Sequence, residues 1–302
     1  MCGIMGYYAF SKNLPDKESL TTMFSLLESR GRDASGYAFI RDNNLVVNKA
    51  AVKSSDLIKT VDWRALILPS VMILHTRMKT QGSEKNNANN HPLYSKSGLA
   101  IVHNGIVFND KEIFAKKQRD AQVDSEAILA ILASNKKSDK VKRLFELIEG
   151  SFAVALIDRS QPDVLTLIKK DNPIELYLDI KNEILYFCSE REIMQEALDI
   201  KSESKFGFTI GEKNFHHYTM ENSYALVIDK DGVNSYRKHY SKRLRWYDKP
   251  AYRKTQTVYK SGDMIECPWC LALTQYYGEA TVNYCEVCGN NIEMEDEIDV
   301  FA

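Results

Sequence analysis

Between residues 151 and 189 four apolar runs follow one another in close succession: SFAVALID, DVLTLIKK, IELYLDI and EILYFCS. Each is short, rich in β-branched and aromatic residues, and bounded by turn-forming side chains, which is the pattern of strands. Strands joined this closely pair as hairpins, so the chain is committed to antiparallel sheet. The same pattern recurs elsewhere. CGIMGYYAF alternates as a strand, and GYAFIRD and NLVVNKA flank a turn at Asp42-Asn43-Asn44. SVMILHTR and GLAIVHNG are apolar runs that end in polar residues, and NSYALVIDKDGVNSYR is a hairpin around Lys230-Asp231-Gly232. Helices are fewer. KESLTTMFSLLESR sets Leu20, Met23, Phe24 and Leu27 on one stripe with Asp16 as N-cap. VDSEAILAILAS, SDKVKRLFELIEG and EREIMQEAL are also helical, with Asp124 or Asp139 near a helix start. Many hairpins with a few helices predict a layered α+β domain.

Length and charge narrow the classes. The 302 residues, 44% of them hydrophobic, suffice for one large domain with its own core, or one domain and an appendage. A net charge of −1 exerts no general attraction on nucleic acid or anionic membrane. No apolar run approaches the roughly 18–20 residues needed to span a bilayer, and the N-terminus lacks the basic and apolar segments of a secretory signal. Of six cysteines, four sit in two tight pairs near the C-terminus, which suits metal binding in a reduced compartment. A cytoplasmic protein is expected.

The strand and helix alternation ends near residue 240. The expected division is a domain over 2–240, a basic linker over 241–262, a four-cysteine module over 263–292 and an acidic tail over 293–302. The linker carries Lys242, Arg243, Arg245 and further basic residues with little apolar periodicity.

Cys2 raises a question, because it stands where a mobile terminus is normal. It could be a strand cysteine, a residue of a disordered tail, or the amino-terminal residue once Met1 is removed. Polar clusters at the ends of predicted strands bear on this: His75-Thr76-Arg77 with Thr80 and Gly82, His103-Asn104-Gly105, and Asp124-Ser125-Glu126. Together with MCGIMGY, RGRDASG, LHTRMKTQG, NNHPL, IVHNGIV and VDSEAIL, in that order, they resemble the class II, N-terminal-nucleophile (Ntn) glutamine amidotransferases. The resemblance implies a four-layer αββα sandwich and a glutaminase that acts through a γ-glutamyl thioester on Cys2. With Met1 removed, Cys2 carries both a thiol and an α-amino group whose pKa of about 7.7–8.0 lets it accept the thiol proton. Asn104 and Gly105, read as one tight turn, offer a side-chain amide and a backbone N–H to a developing oxyanion. Arg77 matches the substrate α-carboxylate through its planar guanidinium, and Asp124 would face the α-ammonium. Arg30, Thr80, His91 and His103 are supporting substrate-site residues by the same matching. The chain departs from the pattern at Met78, Gln81 and Asn90. Cys188, inside a strand pattern, is a core residue.

Cys267-Pro-Trp-Cys270 and Cys285-Glu-Val-Cys288 form two CxxC knuckles separated by fourteen residues. That spacing suits a closed, structural four-thiolate zinc site, a zinc-ribbon-like module, over disulfides or redox chemistry. So short a module has little core, so the metal would supply most of its folding energy. Relatives of this class generally join the glutaminase to a synthase domain or dock onto one. Too few residues follow the predicted domain here for a synthase, so the expected partners are glutamine, a separate ammonia acceptor and, through the basic linker and zinc module, nucleic acid, with no membrane. The rival reading is a catalytically idle amidotransferase fold whose zinc module binds nucleic acid or protein.

Overall fold

The computed structural model describes residues 2–114, 119–134, 140–200, 215–237, 240–244, 264–266 and 273–275. Strand β1 (Gly3–Ala9) comes first, followed by helix α1 (Lys17–Leu26). Asp16 caps this helix as expected, accepting the Ser19 N–H at 2.8 Å. Strands β2 (Ala34–Arg41) and β3 (Asn44–Ala50) are the predicted hairpin. Its turn is only Asp42 and Asn43, with φ of 50° and 59°, the geometry that matches the twist of the flanking strands. Single-turn helices α2 (Ser54–Leu57) and α3 (Val61–Arg64) lead to β4 (Val71–Arg77), β5 (Leu93–Tyr94) and β6 (Leu99–Val107). Three helices follow, α4 (Asp110–Ile113), α5 (Ser125–Leu132) and α6 (Lys140–Leu147). The close succession of apolar runs becomes β7 (Gly150–Asp158), β8 (Gln161–Lys170), β9 (Glu175–Asp179) and β10 (Ile184–Cys188). Helix α7 (Arg191–Ala197) precedes β11 (Phe215–Thr219), β12 (Tyr224–Asp229), β13 (Gly232–Arg237) and β14 (Tyr240–Leu244).

Two seven-stranded sheets result, ordered β11-β9-β10-β1-β4-β2-β3 and β14-β13-β12-β8-β7-β6-β5. Every pairing between their strands is antiparallel. Three apolar clusters define the layers. Ile4, Tyr8 and Ile73 of the first sheet meet Val102, Ala155 and Leu167 of the second. On the outer face of the first sheet, Met5, Tyr7 and Leu74 pack on Leu20 and Phe24 of α1 and Met194 of α7. On the outer face of the second, Ile101, Phe152 and Val154 pack on Ile128 of α5 and Leu144 of α6. The order is helices, sheet, sheet, helices. Strand alternation explains it, since both faces of each sheet are apolar and each needs a cover.

Among the strands outside the sequence reading are β11 and β14. FHHYT of β11 has too little apolar alternation to declare itself, and pairs with β9 at the edge of the first sheet. β14 pairs with β13, so Lys242 and Arg243, read as linker, lie in an edge strand. A separate short hairpin joins β15 (Met264–Glu266) to β16 (Leu273–Gln275). Cys267, Cys270, Cys285 and Cys288 lie outside the described residues, as does Asp139. Among the described residues no helix is long and apolar enough to cross a membrane.

Candidate active site

Cys2 sits immediately before β1, whose register sets Gly3 opposite Thr76 and Ile4 opposite His75 on β4. The thiol is half-buried and its Sγ lies 3.5 Å from the Met78 carbonyl oxygen. The Cys2 carbonyl is held from two sides. Arg30 donates from Nε at 3.1 Å. Asn104, with its amide turned to satisfy both neighbours, donates from Nδ2 at 2.9 Å and accepts from Arg30 Nη2 at 3.3 Å. Arg30 is anchored in turn by Glu190, 2.5 Å from its Nη1. Nothing in the sequence distinguishes Glu190, one acid in the run SEREI. It reaches Arg30 because β10, which pairs with β1, ends beside the start of β1. Burial raises the pKa of the Cys2 thiol, the positive charge of Arg77 works against this, and Asp124 adds to it.

His103-Asn104-Gly105 is not a turn. β6 runs unbroken to Val107, with Asn104 opposite Ala153 and Gly105 opposite Phe152 on β7. An Asn-Gly pair favours a hairpin turn only where no neighbouring strand claims it, and β7 does. Gly105 has a φ of 149°, and a Cβ there would stand 2.1 Å from the Ser151 carbonyl oxygen and 2.8 Å from His103 Nε2. Only glycine fits. The pleat then separates the neighbours, sending Asn104 toward Cys2 and His103 toward α5.

Arg77 ends β4 and is only 3% exposed. Its Nη1 donates to Asn90 Oδ1 at 2.9 Å, and its Nη2 to the carbonyls of Gln81 at 2.5 Å and Gly82 at 2.9 Å. Gln81 and Asn90, two of the departures from the expected pattern, are therefore two of the residues that hold this guanidinium. The Arg-Gly-Arg-Asp segment packs on the same strand end. A Cβ at Gly31 would meet the Arg77 carbonyl carbon at 2.3 Å, and Asp33 accepts the Lys79 N–H at 2.6 Å. Thr80 lies exposed on the following loop with no hydrogen bond among the described residues.

Asp124 caps α5, accepting from Ser125 N at 2.9 Å, and its other oxygen accepts from Val107 N at 2.7 Å. It thereby ties the helix start to the end of β6. His103 Nδ1 lies 2.7 Å from Ser125 Oγ, and the His103 carbonyl is 2.9 Å from His75 Nε2, which links the two sheets. His91 stacks on His75 with ring centroids 4.2 Å apart. All three imidazoles are buried. Burial lowers all three of their pKa values, that of His75 to about 3, so they are neutral at physiological pH. His75, His91 and His103 thus form a buried row, while Arg30, Asn104 and Cys2 converge directly. Among the described residues no group of three or more His, Cys, Asp or Glu side chains is arranged to hold a metal.

The site thus joins a half-buried thiol with a clamped backbone to one guanidinium and one carboxylate whose charges reach it. Residues 75–196 match the family described as "Glutamine amidotransferase domain". The chain carries a glutamine amidotransferase domain. Its sequence is 34% identical over 212 residues to a glutamine–fructose-6-phosphate aminotransferase (isomerizing) of Bacteroides thetaiotaomicron, an alignment covering 66% of this chain and 33% of that protein. The homonymous protein of Clostridium perfringens is 32% identical over 242 residues, 77% of this chain and 36% of its own length. The chain spans about a third of the length of these curated relatives. The fold resembles that of the glutamine phosphoribosylpyrophosphate amidotransferase of B. subtilis, with a TM-score of 0.59 and 17% identity over 82% of this chain and 53% of that one. The matched amidotransferase segment contains Arg77, Asn104, Gly105 and Asp124, while Cys2 and Arg30 precede it.

Proposed function

We propose that this chain hydrolyses the side-chain amide of free glutamine through Cys2 and passes the ammonia to an acceptor on a separate partner. The observation that carries the reading is the convergence of Arg30 and Asn104 on the Cys2 carbonyl. It fixes the backbone of the one half-buried thiol among the described residues, Cys188 being fully buried in β10.

The steps follow from the groups present. Removal of Met1 frees the α-amine of Cys2, which takes the thiol proton. The thiolate attacks the amide carbon and a C–S bond forms. The negative oxygen is met by the Gly105 N–H and by the Asn104 N–H left free by the Cys2 carbonyl. The C–N bond breaks, the amine proton leaves with ammonia, and water hydrolyses the thioester to glutamate. Arg77 receives the α-carboxylate and Asp124 the α-ammonium, so a free amino acid is selected over a glutamine within a peptide. Arg30 is a positioning residue, acting through the Cys2 carbonyl.

The four C-terminal cysteines are proposed to hold one structural zinc. Two observations support this. Their thiols are the soft donor set that zinc prefers, and the hairpin of β15 and β16 brings together the chain on both sides of the Cys267–Cys270 knuckle. The zinc would supply folding energy to a segment too small for a core of its own. In this reading the module recruits the ammonia acceptor.

Glutamate release by the purified chain, followed alongside its intact mass, tests the proposal. Activity accompanied by loss of one methionine is the expected result. Full activity in a chain that retains Met1 rejects the mechanism, because an amide nitrogen cannot serve as the base. A folded, Met1-processed chain that releases no glutamate favours the idle binding-protein reading.

A further inference from the structure

A cavity of about 570 Å³ lies outside the Cys2 site, bounded by Lys49, Leu93, Tyr94, Phe114, Leu129 and Ala130 among others. Its volume is that of a small-molecule pocket, and its walls mix apolar side chains with charged and polar ones. Among those polar groups is a cation without a counter-ion. Lys49 donates to the Asn90 carbonyl at 2.6 Å and the Pro92 carbonyl at 3.0 Å, and its ammonium stands 5.2 Å from the centre of the Tyr94 ring. Three N–H donors minus two carbonyls leave one. No carboxylate pairs with Lys49 among the described residues. Burial lowers its pKa to about 8, as follows when a charge is desolvated without compensation. Lys96 also lines the cavity, but like Asp120 it is exposed to solvent, so these two offset one another. The two acids there do not reverse this balance. Glu126 is taken up by Arg119 Nε at 3.2 Å and by the backbone N–H groups of Asp120 and Ala121, and Asp120 is exposed to solvent.

The cavity also touches both segments that hold the glutamine-binding candidates. Asn90, whose carbonyl receives Lys49, gives its side-chain oxygen to Arg77. Asp120, Ala121 and Glu126 on the opposite wall flank Asp124 in the chain, and Gln122 N donates to Asn89 Oδ1 at 2.7 Å, joining the two walls.

We propose that this cavity binds an organic anion with a flat apolar body, its charge on Lys49 and its body against Leu93, Phe114 and Leu129, and that occupancy changes the affinity for glutamine at Arg77 and Asp124. The second half rests on the glutaminase reading; the first does not. A bound anion on the free third N–H draws the Lys49 ammonium toward the cavity, weakens its bonds to the Asn90 and Pro92 carbonyls, and so loosens the loop that fixes Arg77.

Isothermal titration of the full chain with 1-naphthyl phosphate tests the site without any turnover. One molecule should bind per chain, and inorganic phosphate, which lacks the apolar body, should bind at least about tenfold more weakly. Lys49→Met should weaken naphthyl phosphate about tenfold or more, the loss expected of one charge-assisted contact, and Ala130→Trp should abolish binding by filling the cavity. Unchanged affinity in either folded variant overturns the site. Should Ala130→Trp not fold, photolabelling of the wild-type chain with an aryl azide phosphate decides the same question: label at Lys49, at Phe114 or within residues 87–96 or 119–134 supports the site, and label elsewhere removes it. Glutamine affinity, titrated with and without saturating naphthyl phosphate, should fall severalfold in the wild-type chain. An unchanged value refutes the coupling while leaving the cavity. A chain that binds naphthyl phosphate but neither binds nor hydrolyses glutamine refutes the glutaminase reading alone.

Discussion

At the scale of single residues, the site is a set of charges arranged around one thiol. Cys2→Ser is expected to lose most glutamine hydrolysis, because a hydroxyl is far harder to deprotonate than a thiol, and a diazoketone analogue of glutamine should label Cys2 and leave Cys188 untouched on peptide mapping. Burial raises the Cys2 pKa and Arg77 opposes that rise, which fixes the sign of a pH test. The thiolate fraction grows as pH rises through the raised value, so alkylation by iodoacetamide should accelerate into the alkaline range. Arg77→Gln removes the opposing charge and should move that profile further up; a shift downward contradicts the assignment. Steady-state kinetics separates the two polar partners. Arg77→Lys keeps charge but loses the fork, so KM for glutamine should rise most. Asn104→Ala should lower kcat by about 10²–10³ with little change in KM, because its donor meets charge that develops only in the transition state. Identical behaviour of the two variants would contradict the division of roles.

At the scale of elements, β6 is the decisive piece. Its alternation presents Asn104 to the first sheet and His103 to α5, and its path past β7 tolerates no side chain at Gly105. Gly105→Ala should therefore destabilise the domain by several kcal/mol, combining backbone strain with a clash against the Ser151 carbonyl; urea unfolding with a midpoint within error of the parent would contradict this. The histidine row joins β4 to β6 and gives a second test. His75 and His91 have pKa values lowered by burial. Folded chains keep them neutral while unfolded chains protonate them below about 6.5, so their share of stability is intact above that pH. It is lost on acidification toward the folded value, at up to about 1.4 kcal/mol per pH unit and histidine. Urea midpoints at pH 7 and pH 4.5 should diverge strongly in the parent and less in His91→Gln, which cannot take up the proton. Equal divergence would mean that His91 contributes nothing to the acid sensitivity.

At the scale of the whole molecule, the amidotransferase domain has three apolar clusters of its own. One zinc per chain is expected by elemental analysis. Replacing any one of Cys267, Cys270, Cys285 and Cys288 should release it while glutamate production continues. If the module recruits the proposed acceptor, transfer of ammonia to it should fail in the same variants. A variant that lost zinc and glutamine hydrolysis together would show that the metal supports the active site. Much of this protein was legible in its residues. Binary alternation identified the hairpins and the stripe of α1, because period-2 and period-3.6 patterns are written locally. The motifs that carry the resemblance supplied Cys2, Arg77, Asn104 and Asp124. Local chemistry could not say that Asn104-Gly105 is strand, since that depends on β7, about fifty residues away in the chain. Nor could it find Glu190, Asn90 or the cavity beside Lys49, which exist only where separate strands and loops meet. Sequence by itself determined which residues could do chemistry and which faces had to be buried. The pairing of β1 with β4 and β10, and the stacking of one sheet on the other, decided which of those residues meet, because contact between distant segments is a property of packing that no local pattern contains.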